Sequence, residues 1–181
     1  MTNNKATVPG GKLVDITDKC HISIPNFGMI HINNLPDISD SKSAAYNDEP
    51  IIGRSFPLKT FSHSENRSIS MQLHFFITHP NDVFENIAYL RAIQSAVYPR
   101  DTGVSGAPYT PPVVCQIKCG KLLGEDPLCV VLKQYSVKFP TDVAWDTEDL
   151  VPWKFDVDTT WEVVYQTTDL PGAERILQVG N

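Results

Sequence analysis

The fold is decided by PWKFDVDTTWEVVY, residues 152–165, in which the character of the side chains alternates from one residue to the next. Apolar or strand-forming side chains share one parity: Trp153, Phe155, Val157, Thr159, Trp161, Val163 and Tyr165. The other parity is mostly charged or polar: Lys154, Asp156, Asp158, Thr160, Glu162 and Val164. The pattern predicts a strand with one buried and one mostly acidic face. At a rise of about 3.3 Å per residue it would span roughly 40 Å, so it needs partners over its whole length.

The preceding segment of the chain supplies one partner. DPLCVVLKQYSVKF, residues 126–139, also alternates, but its apolar side chains change parity after residue 132. A β-bulge near Lys133–Gln134 would produce such a change. The sequence therefore predicts a long hairpin in which residues 128–139 pair with residues 153–165.

Another long hairpin is predicted over residues 51–78. Its two arms are IIGRSFPLKTF (51–61) and SISMQLHFFIT (68–78), and the SHSENR stretch between them is typical of a turn. The second arm alternates well, with Ile69, Met71, Leu73, Phe75 and Ile77 on one face. Pro57 cannot donate a ladder hydrogen bond, so we expect the first arm at a sheet edge or a bulge.

One helix is predicted, over residues 82–98, where apolar side chains recur at helical spacing. We expect Asp82 to cap its amino end and Glu85 to reach back toward the cap, as in a capping box. Pro99 disfavours a helical conformation at the residue before it and ends the run.

The remaining segments complete a single-domain plan. The polar stretches 36–50 and 99–112 follow neither period and are predicted to be long loops. Residues 12–24 and 113–123 are each expected to hold one strand, and residues 1–11 are expected to form a flexible lead. The sequence thus predicts one α+β, mostly β domain over residues 12–181, with two long hairpins and one flanking helix.

Composition excludes several classes of partner. The chain of 181 residues has 21 acidic and 15 basic residues, a net charge of −6, which argues against a general nucleic-acid binder. No apolar run approaches the roughly 20 residues that span a bilayer, so we expect no membrane partner. The amino end lacks the apolar core of a secretory signal, and the four cysteines are therefore expected to be reduced.

No grouping of residues demands catalysis or a metal. Cys115, Cys119 and Cys129 lack the spacing typical of zinc sites and are better interpreted as strand residues, the first two on one buried face. Cys20 and His21 are adjacent on a strand and would point to opposite faces, so they do not suggest a nucleophile and its base. The pair Asp156 and Asp158 could serve a glycosidase or a calcium site, but most such pairs belong to a solvated strand face. We predict no cofactor, no metal and no enzymatic activity.

The order of the last three strands resembles a known family. The segments are PPVVCQIKCGKLL (111–123), CVVLKQYSVKF (129–139) and VPWKFDVDTTWEVVY (151–165). This arrangement resembles the tube-like baseplate proteins of contractile phage tails and related injection systems. The matching residues are Pro111, Pro112 and Val113; Gly120; Tyr135, Ser136, Val137 and Phe139; and Pro152, Val157 and Glu162. The resemblance covers residues 111–166 and extends to the topology of residues 51–98.

The resemblance implies a tail-tube-like β-sandwich or barrel whose copies form a ring, expected to be a hexamer, around a central channel. Such a protein would sit in the tail baseplate of the virion and join the hub and spike to the tail tube, while genomic DNA passes without specific binding. The side chains expected to face the channel are Asp156, Asp158, Glu162 and Lys154. The residues expected to contact neighbouring subunits or rings are Asp40, Tyr46, Glu49, Arg54, Arg100 and Tyr109.

Two other functions stay open at this point. An acidic strand face also arises in any β protein that has one side in solvent, so the chain could be a monomeric β-rich binding module that uses its long loops for a ligand. A less favoured alternative is an enzyme such as a hydrolase.

Overall fold

The computed structural model describes residues 5–7, 13–15, 19–32, 34–101, 109–146 and 150–165. The described elements are β1 (Lys5–Thr7), β2 (Leu13–Asp15), β3 (Cys20–Ile24), β4 (Gly28–His31), β5 (Asp37–Ser41), β6 (Ala44–Glu49), β7 (Leu58–Ser64), β8 (Ser68–Phe76), α1 (Pro80–Ser95), β9 (Arg100–Asp101), β10 (Tyr109–Thr110), β11 (Cys115–Cys119), β12 (Leu128–Lys138) and β13 (Lys154–Val163). The protein is therefore mostly β with one described helix, as the sequence predicts.

Seven strands form one antiparallel sheet in the order β4-β3-β11-β12-β13-β8-β5. β13 lies inside the sheet and pairs with β12 on one side and β8 on the other over nearly its whole length. The predicted hairpin of residues 128–139 and 153–165 is confirmed, and the register shifts between Leu132 and Gln134, where the bulge was predicted. The described strands make an open sheet that ends at β4 and β5, so of the β-sandwich or barrel that the resemblance implies, a closed barrel is not formed by these strands.

The core lies on one face of this sheet. Phe155, Val157, Trp161 and Val163 of β13 are buried, in step with the alternation of the sequence. They belong to one cluster with the buried side chains of β3, β8, β11 and β12 and with Ile93 and its neighbours on α1. The helix therefore covers the apolar face, and the opposite face of β13 carries the polar side chains.

The first predicted hairpin is wrong. β7 does not pair with β8; it pairs with β6 and forms a separate two-stranded ribbon, while β8 enters the large sheet between β13 and β5. The physical reason is burial, because β8 alternates buried and less buried side chains, whereas the side chains of β7 are nearly all exposed. Only β8 has an apolar face to offer the core.

The predicted loop 36–50 is also wrong, because it contains β5 and β6. β5 is an edge strand and β6 belongs to the exposed ribbon, so both are held by backbone pairing without an apolar face that the sequence could reveal. In the predicted loop 99–112, β9 and β10 pair over two residues, and residues 102–108 lie outside the described residues.

At the amino end, β1 pairs with β2. Residues 1–4 and 8–12 lie outside the described residues, so the lead predicted over residues 1–11 is described only at β1. The single strand expected within residues 12–24 is instead two, β2 and β3. The strand expected within residues 113–123 is confirmed, but it is shorter, covering only β11.

The helix begins two residues earlier and ends three residues earlier than predicted. Its cap is His79, and Asp82 is the third helical residue. The Asp82 carboxylate accepts hydrogen bonds from the backbone N–H of Thr78 at 3.0 Å and of His79 at 2.8 Å. Glu85 does not reach back as predicted, because its carboxylate accepts a hydrogen bond from the Tyr89 hydroxyl one turn later. Pro80 fits the first turn, where its missing N–H costs no helical hydrogen bond.

We expect Asp82→Ala to lower the free energy of unfolding by about 0.5–2 kcal/mol, because it leaves these two N–H groups without their acceptor. Asp82→Asn keeps an acceptor oxygen and is the matched control, with a smaller expected loss. Urea unfolding of the three proteins measures the difference. Equal losses for the two variants would show that the charge, and not the hydrogen bonds, matters at this position.

Candidate functional site

The polar face of β13 lies opposite the helix and runs across the middle of the sheet. Asp156, Asp158, Thr160 and Glu162 are all partly exposed on it. Their cross-strand neighbours on β8 and β12 are also mainly polar: His74, Gln72, Ser70, Ser68, Lys138, Ser136 and Gln134. The register thus extends the polar surface predicted for one strand over three strands. We call this surface, made by the outward side chains of β8, β12 and β13, the polar face.

Each acidic side chain of β13 has a cationic partner on the polar face. Glu162 Oε2 lies 2.6 Å from Lys133 Nζ, and Asp158 Oδ2 lies 3.0 Å from Lys138 Nζ. Asp156 Oδ1 lies 2.6 Å from His74 Nδ1, and its other oxygen is 3.9 Å from Lys154 Nζ. The hydrogen bond from Lys133, together with one from Asn66, holds the pKa of Glu162 below its ordinary value.

This pairing changes the expected electrostatics of the face. A lining of like negative charge was expected from the sequence, but acidic and basic side chains alternate across the strands, so the field of each carboxylate is locally offset. The structure brings the four predicted residues, Asp156, Asp158, Glu162 and Lys154, together on one surface. The cationic partners Lys133 and Lys138 were missed because only the pairing of β12 with β13, including the bulge at Lys133, brings them within reach of Glu162 and Asp158.

The β6–β7 ribbon is the second unusual surface. We call residues 44–64, the two strands and the turn between them, the arm. Its side chains are exposed along almost its whole length although several are large and apolar: Tyr46, Ile51, Ile52, Phe56, Leu58 and Phe61. The Tyr46 and Phe61 rings meet edge to face, 5.8 Å apart between centroids, and are 57% and 60% exposed. The two touching rings make an exposed apolar patch, and a patch of adjoining apolar side chains marks an interaction site more often than isolated ones do.

The arm is held together by its own contacts. β6 and β7 pair from Ala44↔Ser64 to Glu49↔Leu58, with one register shift at Ala45/Tyr46. Lys59 Nζ lies 2.8 Å from Asp48 Oδ1 across the ribbon. Among the described strands, neither β6 nor β7 pairs with the seven-stranded sheet. The arm is thus an ordered projection whose aromatic side chains do not contribute to the core.

The predicted contact residues fall in three places. Tyr46, Glu49 and Arg54 lie on the arm, the first two on β6 and the third in its turn. Asp40 lies on the edge strand β5, where its carboxylate accepts hydrogen bonds from the Arg67 guanidinium, with Nε 2.9 Å from Oδ1. That contact ties β5 to the start of β8 and raises the pKa of Arg67.

Arg100 and Tyr109, the other two predicted contact residues, lie on the paired strands β9 and β10. The Arg100 guanidinium donates a hydrogen bond to the backbone carbonyl of Pro25 at 3.3 Å, within the same chain. β9 and β10 do not pair with the strands of the arm. The predicted contact residues therefore lie on separate parts of the structure.

A groove runs beside the helix. It has a volume of about 630 Å³ and is lined by Phe27, Val83, Phe84, Ile87, Ala88, Arg91, Ala92, Ser95 and Val151. Phe84 is well exposed, so the outer side of α1 is not uniformly polar. The groove could not be predicted from the sequence, because Phe27 and Val151, far apart along the chain, complete it.

Within the described ranges, His, Cys, Asp and Glu side chains form no cluster of three that could hold a metal ion. Cys115 and Cys119 are buried on one face of β11, as predicted. No helix in the described part of the chain is long and apolar enough to cross a bilayer.

Comparison with known proteins assigns no family. No protein-family model matches the sequence, and no curated protein matches it either.

Proposed function

We propose that this protein is a structural subunit of the baseplate of a contractile phage tail, where copies of it form a ring around the central channel and join the hub and spike to the tail tube. The observation that carries the proposal is the arm, an ordered ribbon whose exposed aromatic side chains have no part in the core of their own chain. Such a projection suits a contact with another subunit, and the polar face suits a channel.

The sheet edges support assembly. β4 and β5 end the described sheet, so each has one edge with backbone groups that no described strand pairs with. An open edge can receive a strand from a neighbouring chain, and a closed ring of copies leaves no such edge exposed. β5 is mostly exposed and polar, as expected of a strand that is not buried within its own subunit.

The polar face suits a channel through which DNA slides. Free lysines would bind phosphates by releasing the counterions that surround DNA. On this face Lys133 and Lys138 form ion pairs with Glu162 and Asp158. The positive charges that could hold a passing phosphate are therefore neutralised within the subunit. Under this proposal the channel neither repels DNA strongly nor retains DNA.

Removing the acidic partners should make the face retain DNA. We expect the double variant Asp158→Asn, Glu162→Gln to bind double-stranded DNA at about 50 mM salt and to bind it roughly tenfold more weakly at about 200 mM, because two lysines are freed. The measurement is DNA retention by the protein in a filter-binding assay, with wild type expected to show none. Asp48→Asn, which frees Lys59 on the arm, is the matched control. No retention by the double variant would contradict the role given to these ion pairs.

Self-assembly tests the function itself. Sedimentation velocity of the purified chain over a concentration series, alone and with a tail-tube protein, should show a discrete ring-sized species. A chain that stays monomeric at every concentration with the tube protein present would overturn the proposal.

A monomeric binding module is the second candidate, and the groove beside α1 favours it. The groove is largely apolar with Arg91 at its side, a composition that suits a small or peptide ligand. The two candidates differ in what they require, because a ring needs the arm and a binding module needs the groove.

A further inference from the structure

Two cysteines face each other across neighbouring strands, where β3 begins and β11 ends. Cys20 of β3 and Cys119 of β11 are register partners. The Gly120 N–H donates to the Lys19 carbonyl at 2.7 Å, and the Cys20 carbonyl accepts from Ile32 on the opposite side of β3. Cys20 and Cys119 therefore form a pair that exchanges no backbone hydrogen bonds, the kind of antiparallel pair in which side chains are closest.

This geometry fits a disulfide bond. In such pairs the Cα atoms are about 4.5 Å apart, and disulfides join Cα atoms that are about 4.4–6.8 Å apart. Both side chains point to the core face, where Cys20 is 5% and Cys119 1% exposed, and the two thiols hydrogen-bond to each other. Both thiols are free in this structure.

We propose that Cys20 and Cys119 are a dithiol oxidation site, which a small peroxide converts to a cross-strand disulfide between β3 and β11. The Cys20 thiolate attacks one peroxide oxygen, the O–O bond breaks, and Cys20 becomes a sulfenic acid as hydroxide leaves. The Cys119 sulfur then attacks the Cys20 sulfur, loses its proton and displaces the second hydroxide. With hydrogen peroxide, two thiols and one peroxide give one disulfide and two waters.

The environment distinguishes the roles of the two thiols. The hydrogen bond with Cys119 lowers the pKa of Cys20, so Cys20 is the thiol of the pair that loses its proton more readily. The same hydrogen bond raises the pKa of Cys119, which keeps its proton until it attacks. Cys115, on the same face of β11, has its pKa raised to about 11 by burial and is not expected to react.

The position of the pair gives a route for the oxidant. Cys20 is the first residue of β3, next to the exposed Lys19, and Cys119 is the last residue of β11, next to a turn. Strand ends open locally at little cost compared with global unfolding, so a small peroxide can reach Cys20 without unfolding of the core. The inference does not depend on the proposed role in a ring.

The experiment is oxidation of the wild-type chain with stoichiometric hydrogen peroxide, followed by peptide mapping and a thiol count in denaturant. We expect a peptide that links Cys20 to Cys119 and a fall from four thiols to two. The rate should rise with pH, as the Cys20 thiolate forms, and the rise should begin below the pH at which an ordinary thiol ionises. The disulfide should raise the Tm by roughly 5–15 °C, because it closes a loop of about 100 residues.

Single variants separate this site from general cysteine oxidation. Cys20→Ser and Cys119→Ser should each abolish the linked peptide, whereas Cys115→Ala, at a buried thiol on the same strand face, should leave its yield unchanged. If wild type keeps four thiols, or if oxidation yields only Cys129 products such as a linked dimer, the proposal is overturned. Since the first measurement uses wild type, a folding defect in a variant does not affect the outcome.

Discussion

Trp161→Ala is expected to lower the free energy of unfolding by about 3–5 kcal/mol, the largest loss of stability we predict for this chain. Trp161 is 0% exposed near the carboxyl end of β13, between its register partners Leu132 on β12 and Ile69 on β8. Truncation removes its packing against the core and leaves a cavity that a seven-stranded sheet cannot easily close.

A hydrogen-bonded chain adds to this loss. The Trp161 Nε1–H donates to the Thr159 hydroxyl at 2.8 Å, and that hydroxyl donates to the Met71 carbonyl at 3.0 Å. Thr159 is itself buried, so its hydroxyl needs these partners. Thr159→Val should cost about 1–3 kcal/mol, because it leaves the buried indole N–H without its acceptor while keeping the volume.

Chemical denaturation of wild type, Trp161→Ala, Trp161→Phe and Thr159→Val measures these differences. Trp161→Phe refills part of the cavity and should lose less than Trp161→Ala. A loss below about 1 kcal/mol for Trp161→Ala would contradict the position of β13 at the centre of the core.

The second large effect is expected on assembly. The double variant Tyr46→Ser, Phe61→Ser removes the aromatic pair of the arm, and we expect it to weaken self-association at least 30-fold, or about 2 kcal/mol, since buried aromatic anchors dominate interfaces. The stability of the monomer should change by less than about 0.5 kcal/mol per site, because both side chains are mostly exposed in the single chain.

Phe84→Ser is the matched control for the arm variant. Phe84 is an aromatic side chain that is at least as exposed, but it lies on α1 beside the groove. Sedimentation velocity should therefore show that Phe84→Ser assembles as wild type does. If the arm variant assembles normally and Phe84→Ser does not, the contact surface is the helix side and the role given to the arm is wrong.

The sequence predicts those elements whose burial alternates strongly. β13, β12 with its bulge, and β8 each carry a long apolar face, so period and parity identify them. The helix was also predicted, but its cap was not. An aspartate near the start of a helix can accept backbone hydrogen bonds either as the cap or as the third helical residue, and Asp82 is the third helical residue. β5 and β6 were missed because an edge strand and an exposed ribbon need no apolar face.

Partner choice was the harder problem. The arm strand β7 was assigned to β8, its neighbour in sequence, but β8 pairs with β13 and β5, which lie far from it along the chain. The prediction that the acidic side chains of β13 share one face was likewise correct. The electrostatic field of that face, however, depends on Lys133 and Lys138, which only the pairing of β12 with β13 brings close to those side chains. Local patterns fix which residues face outward, and pairing across the sheet decides what they meet.

The most direct test of the central claim is a single-particle reconstruction of the purified chain assembled with a tail-tube protein. We expect a closed ring with an open channel, in which Asp156, Asp158 and Glu162 face the channel and the arm contacts a neighbouring subunit. A ring whose channel is lined by α1, or monomers alone with the tube protein present, would contradict it.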